Sequence, residues 1–183
     1  MRQRIIIFIG LAAAALALAA AAVAGTVTAT ATVSGAGSLS LTNGATATLT
    51  DTLDGTDQSV NYALPLTLTD ARGTGAGWNL TVTSTTFSDG SGHTLGTSAS
   101  SIASVVMACV AGGTCTSATN AITYPVTMPA AATAPAAVKL FNSATATGLG
   151  RFTITPTIDV TIPGNAYAGS YSSTITVAAI SGP

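Results

Sequence analysis

The sequence contains no glutamate, and only 6% of its 183 residues are charged. Aromatic residues make up 5%, with a single tryptophan, and there are one histidine and two cysteines. Each scarcity argues against something. With no glutamate and one histidine, the usual acid, base and nucleophile sets have few members to draw on, and neither Gly-x-Ser-x-Gly nor His-Glu-x-x-His occurs. A hydrolase acting on wall glycans would need two carboxylates facing each other across a groove, whereas the six aspartates are scattered along the chain. The expectation is a protein that is not an enzyme and carries no cofactor. Beyond the first few residues the only bases are Arg72, Lys139 and Arg151. That is too few to neutralise a run of phosphates, which argues against nucleic acid and against anionic membrane surfaces as partners. Helical periodicity is also missing from the body of the chain. Only Ala130 to Val138 reads as a helical patch, and Pro129 and Pro135 limit it to a turn or two.

What is present begins with Met1-Arg2-Gln3-Arg4, followed by an uncharged apolar run from Ile5 to Ala24 that closes on Ala22-Val23-Ala24. A basic start, an apolar stretch and a small-x-small site make residues 1–24 a signal peptide helix, cleaved after Ala24. The run just suffices to span a bilayer of about 30 Å, so a membrane is a partner only if the leader stays uncleaved. Residues 25–183 then form a single domain, a length that can bury a core of its own. A leader also delivers Cys109 and Cys115 to an oxidising compartment, where a disulfide across their short loop is expected, with Gly112-Gly113 making the turn. The spacing is not Cys-x-x-Cys and His93 has no second ligand pair, which disfavours redox and zinc chemistry.

Apolar residues in the body recur at every second position, the period of half-buried strands. Val60 to Leu68 alternates with its even positions apolar, and Pro65 inside it marks an edge or a bulge. Trp78, Leu80 and Val82 alternate with Asn79, Thr81 and Thr83. The pattern recurs in Ile122 to Met128, in Phe152 with Ile154, in Ile158 to Ile162, and in Tyr171 with Ile175 and Val177. Turn clusters such as Asn43-Gly44, Asp54-Gly55, Asp89-Gly90-Ser91-Gly92 and Pro163-Gly164-Asn165 separate these runs. The predicted fold is all-β, an antiparallel β-sandwich of Greek-key type. Its core should hold Tyr62, Leu64, Leu66, Leu68, Leu80, Val82, Ile154, Val160, Ile175 and Val177.

The most informative segment is Asp70-Ala71-Arg72-Gly73-Thr74-Gly75-Ala76-Gly77-Trp78-Asn79-Leu80. Its glycines do not have dinucleotide-binding spacing, and a strand rather than a helix follows. It reads as a glycine-rich hairpin loop delivering the tryptophan to a strand. Trp78 then either fills the core or, with Asp70, Arg72, Asn79 and Leu80, forms a ligand-binding surface. This segment resembles the WxL domain of Gram-positive cell-wall proteins, in which a Trp-x-Leu follows such a turn. Ile162-Pro163-Gly164-Asn165-Ala166-Tyr167-Ala168-Gly169-Ser170-Tyr171 and the closing Ser181-Gly182-Pro183 resemble that family's ending. A second Trp-x-Leu, usual in the family near the C-terminus, is replaced here by Thr176-Val177-Ala178-Ala179-Ile180.

The resemblance implies a secreted surface protein that binds peptidoglycan or another cell-wall polymer non-covalently through this domain. The alternative is a structural subunit of a surface fibre or layer, which would partner other surface proteins or itself, since a threonine-rich domain with few charges does little to keep strand edges apart. Two further clusters read as plain surface. Asp51, Asp54 and Asp57 suit a solvated turn better than a calcium loop, and His93 reads as an exposed loop histidine. No metal site is expected.

Overall fold

The computed structural model describes residues 29–35, 37–44 and 49–183. The leader expected at residues 1–24 lies outside them. The chain divides at Val33 and Ser34. Of the first part only residues 29–33 are described, exposed and without regular secondary structure.

Among its described residues the second part has ten strands and no helix. They are β1 (Leu39–Asn43), β2 (Gln58–Ala63), β3 (Leu66–Asp70), β4 (Trp78–Thr85), β5 (Ser100–Cys109), the short β6 (Val126–Thr127) and β7 (Ala130–Ala131), then β8 (Val138–Ser143), β9 (Gly150–Ile162) and β10 (Ile175–Ser181). One sheet runs β1-β3-β9-β5-β6, with β2 joining the same edge of β9 ahead of β3. The other runs β10-β4-β7, with β8 also on β4. Every pairing is antiparallel except β4 with β7, so the fold is the expected all-β sandwich with one short parallel contact.

The long β9 organises the core. Phe152, Ile154, Pro156, Ile158 and Val160 point inward while the residues between them stay partly exposed, the alternation a strand with one buried face must show. Across from them lie Trp78, Leu80 and Val82 of β4, with Leu140 and Phe141 of β8. The expected core residues all join this cluster, although Tyr62, Leu64, Ile175 and Val177 are only half-buried at its side. Pro156 cannot donate to a ladder, and it sits where its neighbours are irregular. Pro65 interrupts β2 and β3 on one flank, and the β5 register shifts between Ile102 and Ser104 on the other.

Three local expectations are corrected. The glycine-rich segment is no hairpin, because β3 and β4 belong to different sheets and the loop crosses between them. Ala130 to Val138 is not helical; Ala130–Ala131 pairs with β4 and the remainder runs as loop into β8. The strand expected at Ile122 to Met128 shrinks to Val126–Thr127, since Asn120 and Tyr124 are engaged with β8 instead. The Tyr124 hydroxyl donates to the Leu140 carbonyl at 2.7 Å, and the Asn142 amide N–H donates to Asn120 Oδ1 at 3.0 Å.

Candidate functional site

The crossing loop gathers the five candidate residues at one end of the sandwich, and its glycines make the path possible. Gly73, Gly75 and Gly77 all have positive φ, which L side chains rarely adopt. Gly77 is the most constrained, because a Cβ there would lie 2.5 Å from the Ser143 carbonyl oxygen. The chain thus passes tightly against β8 and turns Trp78 into the core.

Trp78 is fully buried. Its indole N–H donates to the Gly148 carbonyl at 2.8 Å, and its ring packs on Phe141 and Phe152 with centroids 5.7 and 6.2 Å away. Leu80 is fully buried beside it. The polar residues of the segment also turn inward. Asp70 takes a two-pronged contact from Arg72, whose Nε and Nη2 approach the carboxylate oxygens at 2.8 and 2.9 Å. Those hydrogen bonds hold the Asp70 carboxyl below its ordinary value despite the opposing effect of burial. Arg72 also donates to the Gly77 carbonyl at 2.8 Å and to the Ser181 hydroxyl. Asn79 Nδ2 donates to the Gly182 carbonyl at 2.8 Å, and the Gly182 amide donates to the Gly77 carbonyl. Of the five, only Arg72 reaches solvent appreciably, with 16% of its side chain exposed. Trp78, Leu80, Asp70 and Asn79 therefore form a clasp that fastens β4, the crossing loop and the end of β10, and they offer little surface to a ligand. The stretch lacking the second tryptophan lies against this clasp, with Ala179 opposite Leu80 and Ser181 opposite Trp78.

Cys109 and Cys115 are joined, with Cα atoms 5.9 Å apart, inside the span a bridge permits. The turn between them forms as expected, Gly112 taking positive φ and the Gly113 amide donating to the Val110 carbonyl. The three N-terminal aspartates act separately. Asp54 accepts from Thr56 and Gln58, Asp57 accepts from the Gly164 amide, and Asp51 turns to Thr52. His93 is not an isolated loop residue, since its Nδ1 meets Asp89 Oδ2 at 2.5 Å. That hydrogen bond is the main reason the Asp89 carboxyl stays below its ordinary range.

The surface with room for a ligand lies elsewhere. Val60 of β2, Val160 and Ile162 of β9, residues 49–53 and 166–169, and Tyr171 border a cavity of about 460 Å³. It adjoins a wider one of about 950 Å³, the two sharing Leu49, Phe87 and Tyr171. Tyr62 reaches the second, and burial pushes its phenol up to about 12. Tyr167 is 64% exposed at the rim, its ring stacked on His93 at a centroid distance of 3.9 Å. Tyr167 and Tyr171 belong to the stretch from Ile162 to Tyr171 that resembles the family's ending. What showed no local sign was that they converge with Phe87 and residues 49–53.

A scan of family models matches residues 35–177 to the WxL domain, described as surface cell wall-binding. The chain belongs to the WxL family. Neither the curated proteins nor the solved structures give a match. As a WxL domain the molecule is a cell-surface module that binds the cell wall, and the matched span takes in Trp78-Asn79-Leu80 and the residues lining the 460 Å³ cavity.

Proposed function

We propose that this WxL domain is exported by its leader, freed by cleavage after Ala24, and held at the surface of a Gram-positive-type cell by non-covalent binding to peptidoglycan. The observation that carries this reading is the family match over nearly the whole folded unit. The chemistry of the domain supports binding rather than catalysis. Asp70 and Asp89 are engaged with Arg72 and His93, and Asp54 and Asp57 with loop contacts, which gives these four carboxylates structural work. In this reading Asp70, Arg72, Trp78, Asn79 and Leu80 fix the shape of the domain and do not line the polymer site, since Arg72 spends its donors on Asp70, Gly77 and Ser181. The test is co-sedimentation of the exported chain with purified peptidoglycan sacculi, with and without soluble wall fragments as competitors. Saturable, competable retention supports the proposal, and retention only by walls that keep their secondary polymers rejects peptidoglycan as the partner.

A second reading, a structural subunit of a surface layer or fibre, is favoured by one edge. β5 pairs with β6 only at Ser101 and Ile102, so from Ser104 onward that side of β5 has no partner strand among the described residues, and Val106 there is 65% exposed. Such an edge can add a strand from another chain. Sedimentation velocity separates the two, since a wall-binding module stays monomeric and a fibre subunit forms larger species as concentration rises.

A further inference from the structure

We propose that the groove bordered by β2, the end of β9 and residues 49–53 and 166–171, and not the Trp-x-Leu clasp, seats the glycan strand of the wall polymer; this rests on the peptidoglycan-binding reading above.

Three observations converge on a saccharide. The first is shape and lining: the cavity of about 460 Å³ falls in the range of ligand sites and presents Phe87, Tyr167 and Tyr171 to its interior or rim. A sugar ring has an apolar face of C–H groups and an edge of hydroxyls. Aromatic rings suit the face, while Thr50, Asp51 and Thr52, which also line the cavity, carry polar groups that suit the edge.

The second is that the principal ring is held in place before any ligand arrives. Tyr167 is 64% exposed, an unfavourable position for a large ring. Its backing is built by a chain of contacts. Asp89 accepts from the Ser91 and His93 amides and binds His93 Nδ1, and the imidazole lies nearly flat on Tyr167, 17° between planes. The Tyr171 hydroxyl donates to the Tyr167 carbonyl at 3.0 Å, tying the two rim residues together. With one face of Tyr167 covered by His93, its exposure falls on the other face and the edge. A ring fixed this way loses little freedom on stacking, which lowers the cost of binding.

The third is charge. Among the described lining residues there is no lysine or arginine, and Asp51 is the one charged group. A phosphate-rich wall polymer would meet a lone carboxylate and no counter-charge. A neutral glycan meets no such penalty.

The test compares the exported chain with Tyr167→Ala, Tyr167→Trp and Arg72→Ala on purified sacculi, with three soluble competitors: glycan strands freed of stem peptides, the stem peptides alone, and a polyol-phosphate wall polymer. The expected result is that the free glycan displaces the chain. Tyr167→Ala should weaken retention about tenfold with an unchanged melting temperature, Tyr167→Trp should retain binding, and Arg72→Ala should matter little if still folded. If the unaltered chain is retained but Tyr167→Ala binds equally well, the groove assignment is wrong and the wall-binding reading stands. Displacement by stem peptides or by the phosphate polymer, and not by glycan, overturns the saccharide assignment. If the unaltered chain is not retained at all, the peptidoglycan reading itself fails and this proposal falls with it.

Discussion

Replacing Trp78 separates a tryptophan that builds the domain from one that touches the wall. The side chain is fully buried, donates to the Gly148 carbonyl at 2.8 Å, and packs between Phe141 and Phe152. Trp78→Ala empties a large space at the meeting of β4, β8 and β9 and strands a buried carbonyl. Truncations of this kind cost about 3–5 kcal/mol, and for a domain of this size that lowers the melting temperature by on the order of 10 °C. Trp78→Phe keeps much of the packing but leaves the Gly148 carbonyl without its donor, a loss of about 1–3 kcal/mol. The assay is thermal unfolding followed by circular dichroism, paired with sacculus retention measured well below both melting temperatures. Folded Trp78→Phe should bind the wall as the unaltered chain does. The reasoning is refuted if Trp78→Ala melts like the unaltered chain, or if folded, stable Trp78→Phe loses retention.

Other outcomes follow from single contacts. Asp70→Asn should cost about 1–3 kcal/mol at neutral pH, because its hydrogen bonds to Arg72 are largely shielded from water. The Arg72 guanidinium holds the Asp70 carboxyl below 3.8 in the folded chain, so the contribution is complete above that pH and fades as pH falls below it. Urea midpoints of the chain and the variant should therefore converge in acid, and a gap that persists would exclude the carboxylate as its source. Tyr62, pushed up to about 12 against an ordinary 10.0, favours the folded state while neutral. Its contribution is intact below 10.0 and is lost as pH rises toward about 12, and ultraviolet titration should show late ionisation that Tyr62→Phe diminishes without abolishing, because burial raises Tyr124 as well. Reducing Cys109–Cys115 should lower stability by at most about 2–3 kcal/mol, because the closed loop is short, and should leave a cooperative transition by calorimetry.

The elements legible in the sequence are those whose signal is local. β3 and β9 alternate cleanly because each buries one face and leaves the other partly wet, and period two records that directly, whereas β4 alternates in residue type but buries Asn79, Thr83 and Ser84 as well. The glycines before Trp78 announced a chain reversal, but a loop that crosses sheets uses the same turn chemistry as a hairpin, and which partner β4 takes is decided far away in the chain. The segment at Ile122 alternates like a strand, yet the contacts of Asn120 and Tyr124 with β8 outcompete the ladder. The tryptophan was visible as a choice between core and contact, and its indole bond to Gly148, 70 residues away, is what places it inside. The groove was the least legible feature, because residues 49–53, Phe87 and residues 166–171 converge only once both sheets have formed. The pairing of Asp89 with His93, four residues apart, was within reach of the sequence, as both flank the same glycine turn.

The measurement that bears most directly on the central claim is the retention of the exported chain on purified peptidoglycan sacculi as salt concentration is raised. A groove whose described lining carries a single charge, Asp51, predicts saturable binding that survives high salt and is displaced by soluble glycan. Binding that disappears at high salt, or that soluble glycan leaves untouched, would contradict it.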